Sequence, residues 1–442
     1  MNKNKVLSKI YIFSLFYFLF IDYKYFTIFA LIILICNFIS KNEKSIPNYE
    51  KKILLISPFI FYIQKIIIGL FYESTMWERT FFDAKYSFAD AKITINQLIC
   101  QSNQEFLLGD KFQSMSDECF FRDWRYGPLF HILKIDLGYD SSVIFITVLL
   151  YLFFLFFLYE LNKRKYISDL EFNIISLSST VNQLLSQVNI DLLLFLIVFI
   201  SITFLKKYFK LNLFIFFFLA LLKQHPIGLF FGLLFTEKKR TNLFFIIFYV
   251  LSFVIVNFYI LSIDMNFLTG QPRPSGGHSS SGLLTISQFL WIQLFNSQFG
   301  FRFVLFLLIF IILFLSFLTY KNKKIKFNEL LLTPNTDSRY FFAIISWFLF
   351  TSLYANYDYR NIVLVLLLFL YNFDFRTKYV FISVLLLSPN PVLNSEILTF
   401  GMFFIKFSCY LYAVFICLNL IVSTESKYLR LVTNIFNKQV DS

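Results

Sequence analysis

Long apolar runs separated by short basic or polar segments recur along the whole chain. Residues 53–71, 143–159, 243–261 and 399–422 each approach or exceed the length at which a helix crosses a hydrocarbon core of ~30 Å. A backbone in hydrocarbon must satisfy its own hydrogen bonds, which a helix does. The pattern therefore predicts an all-α polytopic membrane protein, a single integral membrane domain over residues 1–442 with roughly 11 to 14 transmembrane helices.

Two apolar stretches are interrupted by polar breaks. Residues 182–189 (NQLLSQVN) divide the run 172–205, and residues 223–226 (KQHP) divide the run 211–235. Each leg has about 10 to 16 residues, or about 15–24 Å of helix, which is short for one crossing. Because broken helices at membrane depth need protein or a water-filled cavity beside them, we expect both breaks to face the same cavity as the large polar interval at residues 72–140.

The two longest polar intervals are residues 72–140 and 263–300, the second containing QPRPSGGHSSSG. Basic clusters lie elsewhere, between the apolar runs, and the excess of Lys and Arg marks cytoplasmic loops. These clusters are at 3–9, 41–52, 163–165, 206–210, 238–240, 321–326 and 376–378. Both polar intervals are therefore predicted to be extracytoplasmic loops.

Composition supports the membrane assignment. The chain is 58% hydrophobic and 15% charged, with a mean hydropathy of +0.67, whereas soluble domains are about 25% charged. The net charge of +13 follows from the basic cytoplasmic clusters, and no basic face with stacking aromatics stands outside the predicted membrane, which argues against nucleic-acid binding. Cys100 and Cys119 lie in the first loop and either form a disulfide or stay as two thiols. No metal-ligand spacing or Asp-x-Asp pair is present, so neither a metal nor a cofactor is expected.

The start of the first loop contains two carboxylates. Apolar residues at 81, 84, 88, 91 and 95 have the spacing of a helix lying on a membrane surface. Asp83, close behind a predicted span, is placed to act as a general base for a hydroxyl. Asp90 is about 10 Å further along the same face. The alternative is a solvated helix with surface ion pairs.

Cationic candidates occur at four further places. Arg122 and Arg125 suit a phosphate, but they suit the membrane interface equally. Lys223 and His225 stand inside an apolar stretch, where an ionisable residue suggests function, although a helix end that reaches the surface explains them as well. Weaker candidates of the same kind are Arg360, in the turn YDYR, and His278, in the second loop.

Four short motifs follow one another over residues 80–236: DAKY at 83–86, YGPLF at 126–130, SQVN at 186–189 and KQHP at 223–226. Their order and spacing resemble the GT-C superfamily of membrane glycosyltransferases, and specifically glycosyltransferase family 87, the bacterial polyprenol-phosphate-mannose-dependent mannosyltransferase-like group. Gly127 stands where that family has Pro, and Ser186 where it has Gly.

The resemblance implies a GT-C-like helical bundle with a large first extracytoplasmic loop. It implies a sugar donor linked to a polyprenyl phosphate, with Asp83 as the catalytic base. A cation, Lys223 first and then Arg360 or His278, would stabilise the departing phosphate. The substrate-binding candidates are Tyr86, Asp90, Arg122, Arg125, Tyr126, Gln187, Asn189, Lys223, His225, His278 and Arg360.

The expected activity is transfer of mannose, or of another hexose or pentose, to a lipid- or glycan-linked acceptor outside a bacterial cell membrane. Two alternatives stay open. An O-antigen or polysaccharide polymerase usually has its main loop late in the chain, with arginines in it. A lipid-linked glycan flippase or transporter would have polar residues reaching both membrane faces, whereas here they gather on the predicted outer side.

Overall fold

The structure is a computed structural model, and it is helical apart from one short strand pair. It describes residues 9–12, 14–15, 23–40, 48–71, 139–187, 190–237, 239–263, 280–281, 283, 286–288, 301–322, 338–353, 356–371, 373–388 and 396–424.

The helices of the first half are, in chain order, α1 (Tyr23–Ser40), α2 (Asn48–Phe71), α3 (Tyr139–Lys163), α4 (Asp169–Ser176), α5 (Ser179–Gln187), α6 (Ile190–Phe204), α7 (Phe209–Leu222), the 3₁₀ turn η1 (His225–Ile227), α8 (Gly228–Thr236) and α9 (Arg240–Ile263). Those of the second half are α10 (Phe301–Asn322), α11 (Ser338–Leu353), η2 (Asp358–Ile362), α12 (Val363–Leu370), α13 (Phe375–Leu387) and α14 (Glu396–Thr424). The strands are β1 (Ser280–Ser281) and β2 (Asn356–Tyr357), which pair antiparallel.

The core lies around α8, α11 and α12. Every residue of α12 is buried, as expected for a helix that is apolar on all sides. Helices α8 and α11 form the most extensive helix pair. Glycines allow this approach, because a methyl group added at Gly232 would overlap the Phe342 backbone, and one added at Gly228 would lie 2.8 Å from Phe350 Cβ. The register of this pair brings the start of α8 beside the middle of α11.

The polar break predicted at residues 182–189 differs in the structure. The leg predicted at 172–181 is interrupted at Leu177, between α4 and α5, and the polar residues that follow are helical as far as Gln187. Polar side chains can lie in this buried helix because other side chains satisfy them. Tyr62 donates to Asn182 Oδ1 at 3.2 Å, and Thr180 donates to the Ser388 carbonyl at 2.7 Å.

Segments predicted on one side of the membrane contact each other. Lys51 pairs with Asp169 at 4.0 Å, and Lys378 donates to the Tyr166 carbonyl at 3.0 Å. These contacts link Lys51, in the cluster at 41–52, and Lys378, in the cluster at 376–378, to the segment that directly follows the cluster at 163–165. The side that each cluster faces stays a prediction.

A second set of contacts joins two more basic clusters. Arg339, at the start of α11, pairs with Glu237 at the end of α8. Its guanidinium also lies 4.4 Å from the ring centroid of Phe209. The segments at 206–210 and 238–240 thus meet at the beginning of α11.

Within the described residues, two helices are long and apolar enough to cross a membrane, Arg240–Tyr259 in α9 and Phe400–Ile421 in α14. Both coincide with spans predicted from the sequence. Only 6% of the α9 segment is buried against the rest of the protein. Helix α10 likewise turns large aromatic residues outward, with Phe303, Phe306 and Phe310 each about two-thirds exposed. Such wide apolar surfaces are unusual for a soluble monomer and suit contact with lipid.

Candidate functional site

A buried carboxylate gathers three of the basic side chains singled out in the sequence. Asp191 Oδ1 lies 2.9 Å from Lys223 Nζ and 2.8 Å from His225 Nε2. Asp191 Oδ2 lies 3.5 Å from Arg360 Nε. The side chains of Asp191, Lys223 and His225 are 2%, 6% and 8% exposed, and that of Arg360 is 20% exposed. We call these four residues the Asp191 cluster.

Two helix ends favour the charges placed on them. Asp191 lies in the first turn of α6, where the positive end of the helix dipole stabilises an anion. Lys223 caps the C-terminus of α7, in an extended conformation, and its backbone N–H donates to the Leu219 carbonyl at 2.9 Å. A cation there interacts favourably with the negative end of that helix. The two helices thus bring their complementary charges to one place.

The break at residues 223–226 occurs where the sequence predicts it. Helix α7 ends at Leu222, and η1 follows with Pro226 near its start. Proline fits that position because the first turn of a helix needs no backbone donor there. The short turn places Lys223 and His225 on the same Asp191 oxygen.

The two hydrogen bonds of His225 determine its tautomer. The Trp347 indole N–H of α11 donates to His225 Nδ1 at 2.8 Å. Since an indole can only donate, Nδ1 must be the acceptor, and the single ring proton is on Nε2. That N–H then donates to Asp191 Oδ1. The two rings are also stacked, 5.8 Å apart and inclined by 11°.

Arg360 reaches the cluster from η2, which polar contacts hold in place. Asn361 Nδ2 donates to Ser388 Oγ at 3.0 Å, while the Ser388 carbonyl accepts from Thr180 of α5. Just before η2, strand β2 pairs with β1, with Ser280 opposite Tyr357. This pairing joins the second predicted outer loop to the turn that carries Arg360.

The four side chains of the cluster carry unequal formal charges. Lys223 and Arg360 are cations, Asp191 is an anion, and His225 carries one ring proton, so the sum over these four side chains is one positive charge. A lysine and an arginine held side by side are chemically suited to bind an anionic group such as a phosphate. Asp191 Oδ1 already accepts from Lys223 and His225. This carboxylate is therefore placed to hold these basic side chains, and not to remove a proton from a substrate.

The structure brings together three of the predicted binding residues, Lys223, His225 and Arg360, on Asp191. Gln187 is the last residue of α5. The other candidates lie outside the described residues, and their roles stay predictions. These are Asp83, Tyr86, Asp90, Arg122, Arg125, Tyr126, Asn189 and His278.

Sequence reasoning missed Asp191 and Trp347. Asp191 had a usable signal, because it is a lone carboxylate at the start of an apolar run, the same kind of signal that drew attention to Lys223. Trp347 had none, since it is one aromatic residue among many in α11.

Across the part of the chain that the structure describes, no group of three or more His, Cys, Asp or Glu side chains could hold a metal ion. Comparison with family models, with curated proteins and with solved structures finds no match to this chain.

Proposed function

We propose that this protein is a membrane glycosyltransferase that moves a sugar from a polyprenyl-phosphate carrier to a lipid- or glycan-linked acceptor on the extracytoplasmic side. The proposal rests above all on one observation: Lys223, His225 and Arg360, chosen from the sequence as phosphate-binding candidates, converge on Asp191. The order of the four sequence motifs, which resembles glycosyltransferase family 87 and includes Lys223 and His225 in KQHP, also supports it.

The chemistry of this reaction needs such a cluster. As the bond between sugar and phosphate breaks, negative charge grows on the departing phosphate, and a fixed cation nearby stabilises that charge. Lys223 and Arg360 carry the cluster's two positive charges, and burial strengthens their attraction to an anion. In membrane proteins the N-terminal ends of interrupted helices face anionic groups, and the N-terminal end of α6 lies at this cluster.

The base must come from elsewhere, because Asp191 is occupied by its basic partners. We assign that role to Asp83 in the first extracytoplasmic loop, on the strength of its position in the DAKY motif. In this scheme Asp83 removes the proton of the acceptor hydroxyl, whose oxygen bonds to the anomeric carbon of the sugar as the bond from that carbon to the phosphate breaks, and the Asp191 cluster holds the departing phosphate.

The test is sugar transfer by the purified protein in detergent. Radiolabelled polyprenyl-phosphate mannose is offered first, then the glucose and arabinose forms, with a lipid extract as acceptor. Lys223→Gln should lower the transfer rate by about two to three orders of magnitude, the scale for losing one stabilising donor. The matched control is Lys207→Gln, which removes the same charge from an exposed position and should retain the wild-type rate.

A second pair of variants tests the base. Asp83→Asn should abolish transfer while the protein stays folded, and Asp90→Asn should keep activity. Equal loss in both would reject the assignment of Asp83. If well-folded wild-type protein transfers none of these sugars, the glycosyltransferase proposal fails, and the polymerase and flippase alternatives should be assayed instead.

A further inference from the structure

The indole of Trp347 lies beside the Asp191 cluster but adds no charge to it. Its N–H donates to His225 Nδ1 at 2.8 Å, and the residue is 1% exposed. Trp347 belongs to α11, 122 positions along the chain from His225. The close packing of α8 on α11 through Gly228 and Gly232 fixes this distance, because α8 begins directly after η1.

We propose that Trp347 is a positioning residue that keeps His225 in its singly protonated form and thereby fixes the charge of the anion site. An N–H pointing at Nδ1 occupies the lone pair that a second proton would need. To protonate His225, the protein would have to break the Trp347 hydrogen bond and leave the buried indole N–H without an acceptor, which is costly.

Three other charged side chains face His225, so its protonation state changes the charge of the site. Asp191 faces it from α6, Lys223 from the end of α7 and Arg360 from η2. Beside a carboxylate alone, a histidine tends to take up a second proton. An imidazolium here would carry its second proton on Nδ1, against the Trp347 N–H, and would raise the net charge of the four side chains from one to two.

The consequence is an anion site whose charge stays constant over the range in which an ordinary histidine titrates, around pH ~6.5. This role of Trp347 concerns the same site as the proposed function. It rests on that function only where transfer activity is measured. The protonation of His225 can be measured without any substrate.

The test uses Trp347→Phe, which keeps the stacked ring and removes the N–H donor. The full-length protein is labelled with ¹⁵N-histidine in detergent micelles, and ring nitrogen shifts are followed by NMR from about pH 3 to 8, so that the wild-type midpoint falls inside the range. The chain has three histidines, so the His225 signal is assigned by its loss in His225→Gln. In the wild type, His225 should show an unprotonated Nδ1 down to about pH 5.

In Trp347→Phe, the midpoint for protonation of His225 should rise by about one pH unit, the equivalent of one hydrogen bond. Phe348→Leu is the control, because it removes a neighbouring buried ring that packs on Tyr410 and not on His225. It should leave the His225 midpoint unchanged. An unchanged midpoint in Trp347→Phe, an equal shift in both variants, or a wild-type His225 protonated at Nδ1 would overturn the inference.

Transfer activity provides the second readout. The titration step of His225 in the pH profile of Trp347→Phe should lie about one pH unit above that of the wild type, and the double variant Trp347→Phe/His225→Gln should lack the step, because glutamine cannot titrate. A step at the same pH in Trp347→Phe and the wild type would overturn the link between Trp347 and the site. If the NMR result is as expected but no variant or wild type transfers sugar, the positioning role stands and the proposed function fails.

Discussion

Asp191 accepts from Lys223 and His225 through a single oxygen, and all three side chains are almost completely buried. Each group has lost its water, so each depends on the others for its stabilisation. At the scale of single residues, the cluster therefore behaves as a unit in which the loss of one member leaves an uncompensated partner. This applies to folding stability as well as to any ligand.

A double-mutant cycle measures this dependence. Asp191→Asn should lower the free energy of unfolding by about 3–5 kcal/mol, because it removes the carboxylate that faces the buried Lys223. Lys223→Met should cost less, because Arg360 still faces Asp191. The double variant should cost at least about 1 kcal/mol less than the sum of the two. Unfolding by SDS in mixed micelles, followed by circular dichroism, gives the three values. Strict additivity would show that the two side chains are energetically independent.

The environment of Glu237 predicts that the stability of the fold depends on pH. Burial alone would raise its pKa, but the Lys239 backbone N–H and the side chains of Arg339 and Asn242 donate to the carboxylate and bring its pKa below the usual value. A lowered carboxylate pKa stabilises the fold at pH values above the unfolded pKa of about 4.3, and this stabilisation is lost as the pH falls through the folded pKa.

Thermal unfolding of the wild type and of Glu237→Gln from about pH 3 to 7 tests this linkage. The wild type should be the more stable protein at neutral pH, and the difference should shrink in acid. Glu160→Gln is the comparison, since that carboxylate is 23% exposed and pairs only within the neighbouring turn. Its effect should be smaller. A Glu237→Gln difference that persists unchanged at the lowest pH would contradict the assignment.

At the scale of elements, the contact of α8 with α11 positions the site. Polar pairs join these helices at both ends, His225 with Trp347 at one and Glu237 with Arg339 at the other. Between them, Gly232 lies against the backbone of Phe342. A small residue at such a contact lets two backbones approach closely. The cluster is thus held by the register of two whole helices.

Gly232→Ala should be destabilising, because the added methyl group meets backbone atoms of α11 that cannot rotate away. Overpacking of this kind costs about 1–3 kcal/mol. The matched control is Gly401→Ala in α14, where an added Cβ has nothing within 4 Å. That variant should be neutral or more stable by up to about 1 kcal/mol, since alanine favours helix. The melting temperatures of the two variants test this prediction. An equal change in melting temperature in both would be evidence against the close α8–α11 contact.

At the scale of the whole molecule, the outer surface is apolar where α9 and α10 face away from the bundle. Basic clusters meet one another through Lys51, Lys378 and Arg339, while the helix breaks meet at Asp191. The arrangement separates charged loop segments from a wide apolar surface, which is how a bilayer sorts side chains.

Nitroxide labels at two exposed sites test this separation. With the five native cysteines replaced, Phe306→Cys and Lys207→Cys are labelled in reconstituted vesicles. Phe306 is 69% exposed on α10, and its label should collide more often with oxygen, which dissolves in lipid. The label at Lys207, in a basic cluster, should collide more often with a water-soluble nickel complex. Water exposure of the label at Phe306 would argue against a lipid-facing α10.

Several features followed from the sequence by itself. The spans in α9 and α14, the end of α7 at Leu222 and the choice of Lys223, His225 and Arg360 are all local signals, because apolar length, a proline and an ionisable group in an apolar run act over a few residues. The sequence also indicated that the polar breaks belong together.

Only the tertiary structure decided which carboxylate Lys223, His225 and Arg360 share, and which aromatic residue determines the tautomer of His225. Asp191 is 34 positions from His225, and Trp347 is 122, so no local pattern relates them. The helical course of residues 179–187 was decided in the same way, since distant partners such as Tyr62 and Ser388 satisfy the polar groups there. Packing brings such residues together through contacts that form between helices, and these contacts leave no periodic trace in the chain.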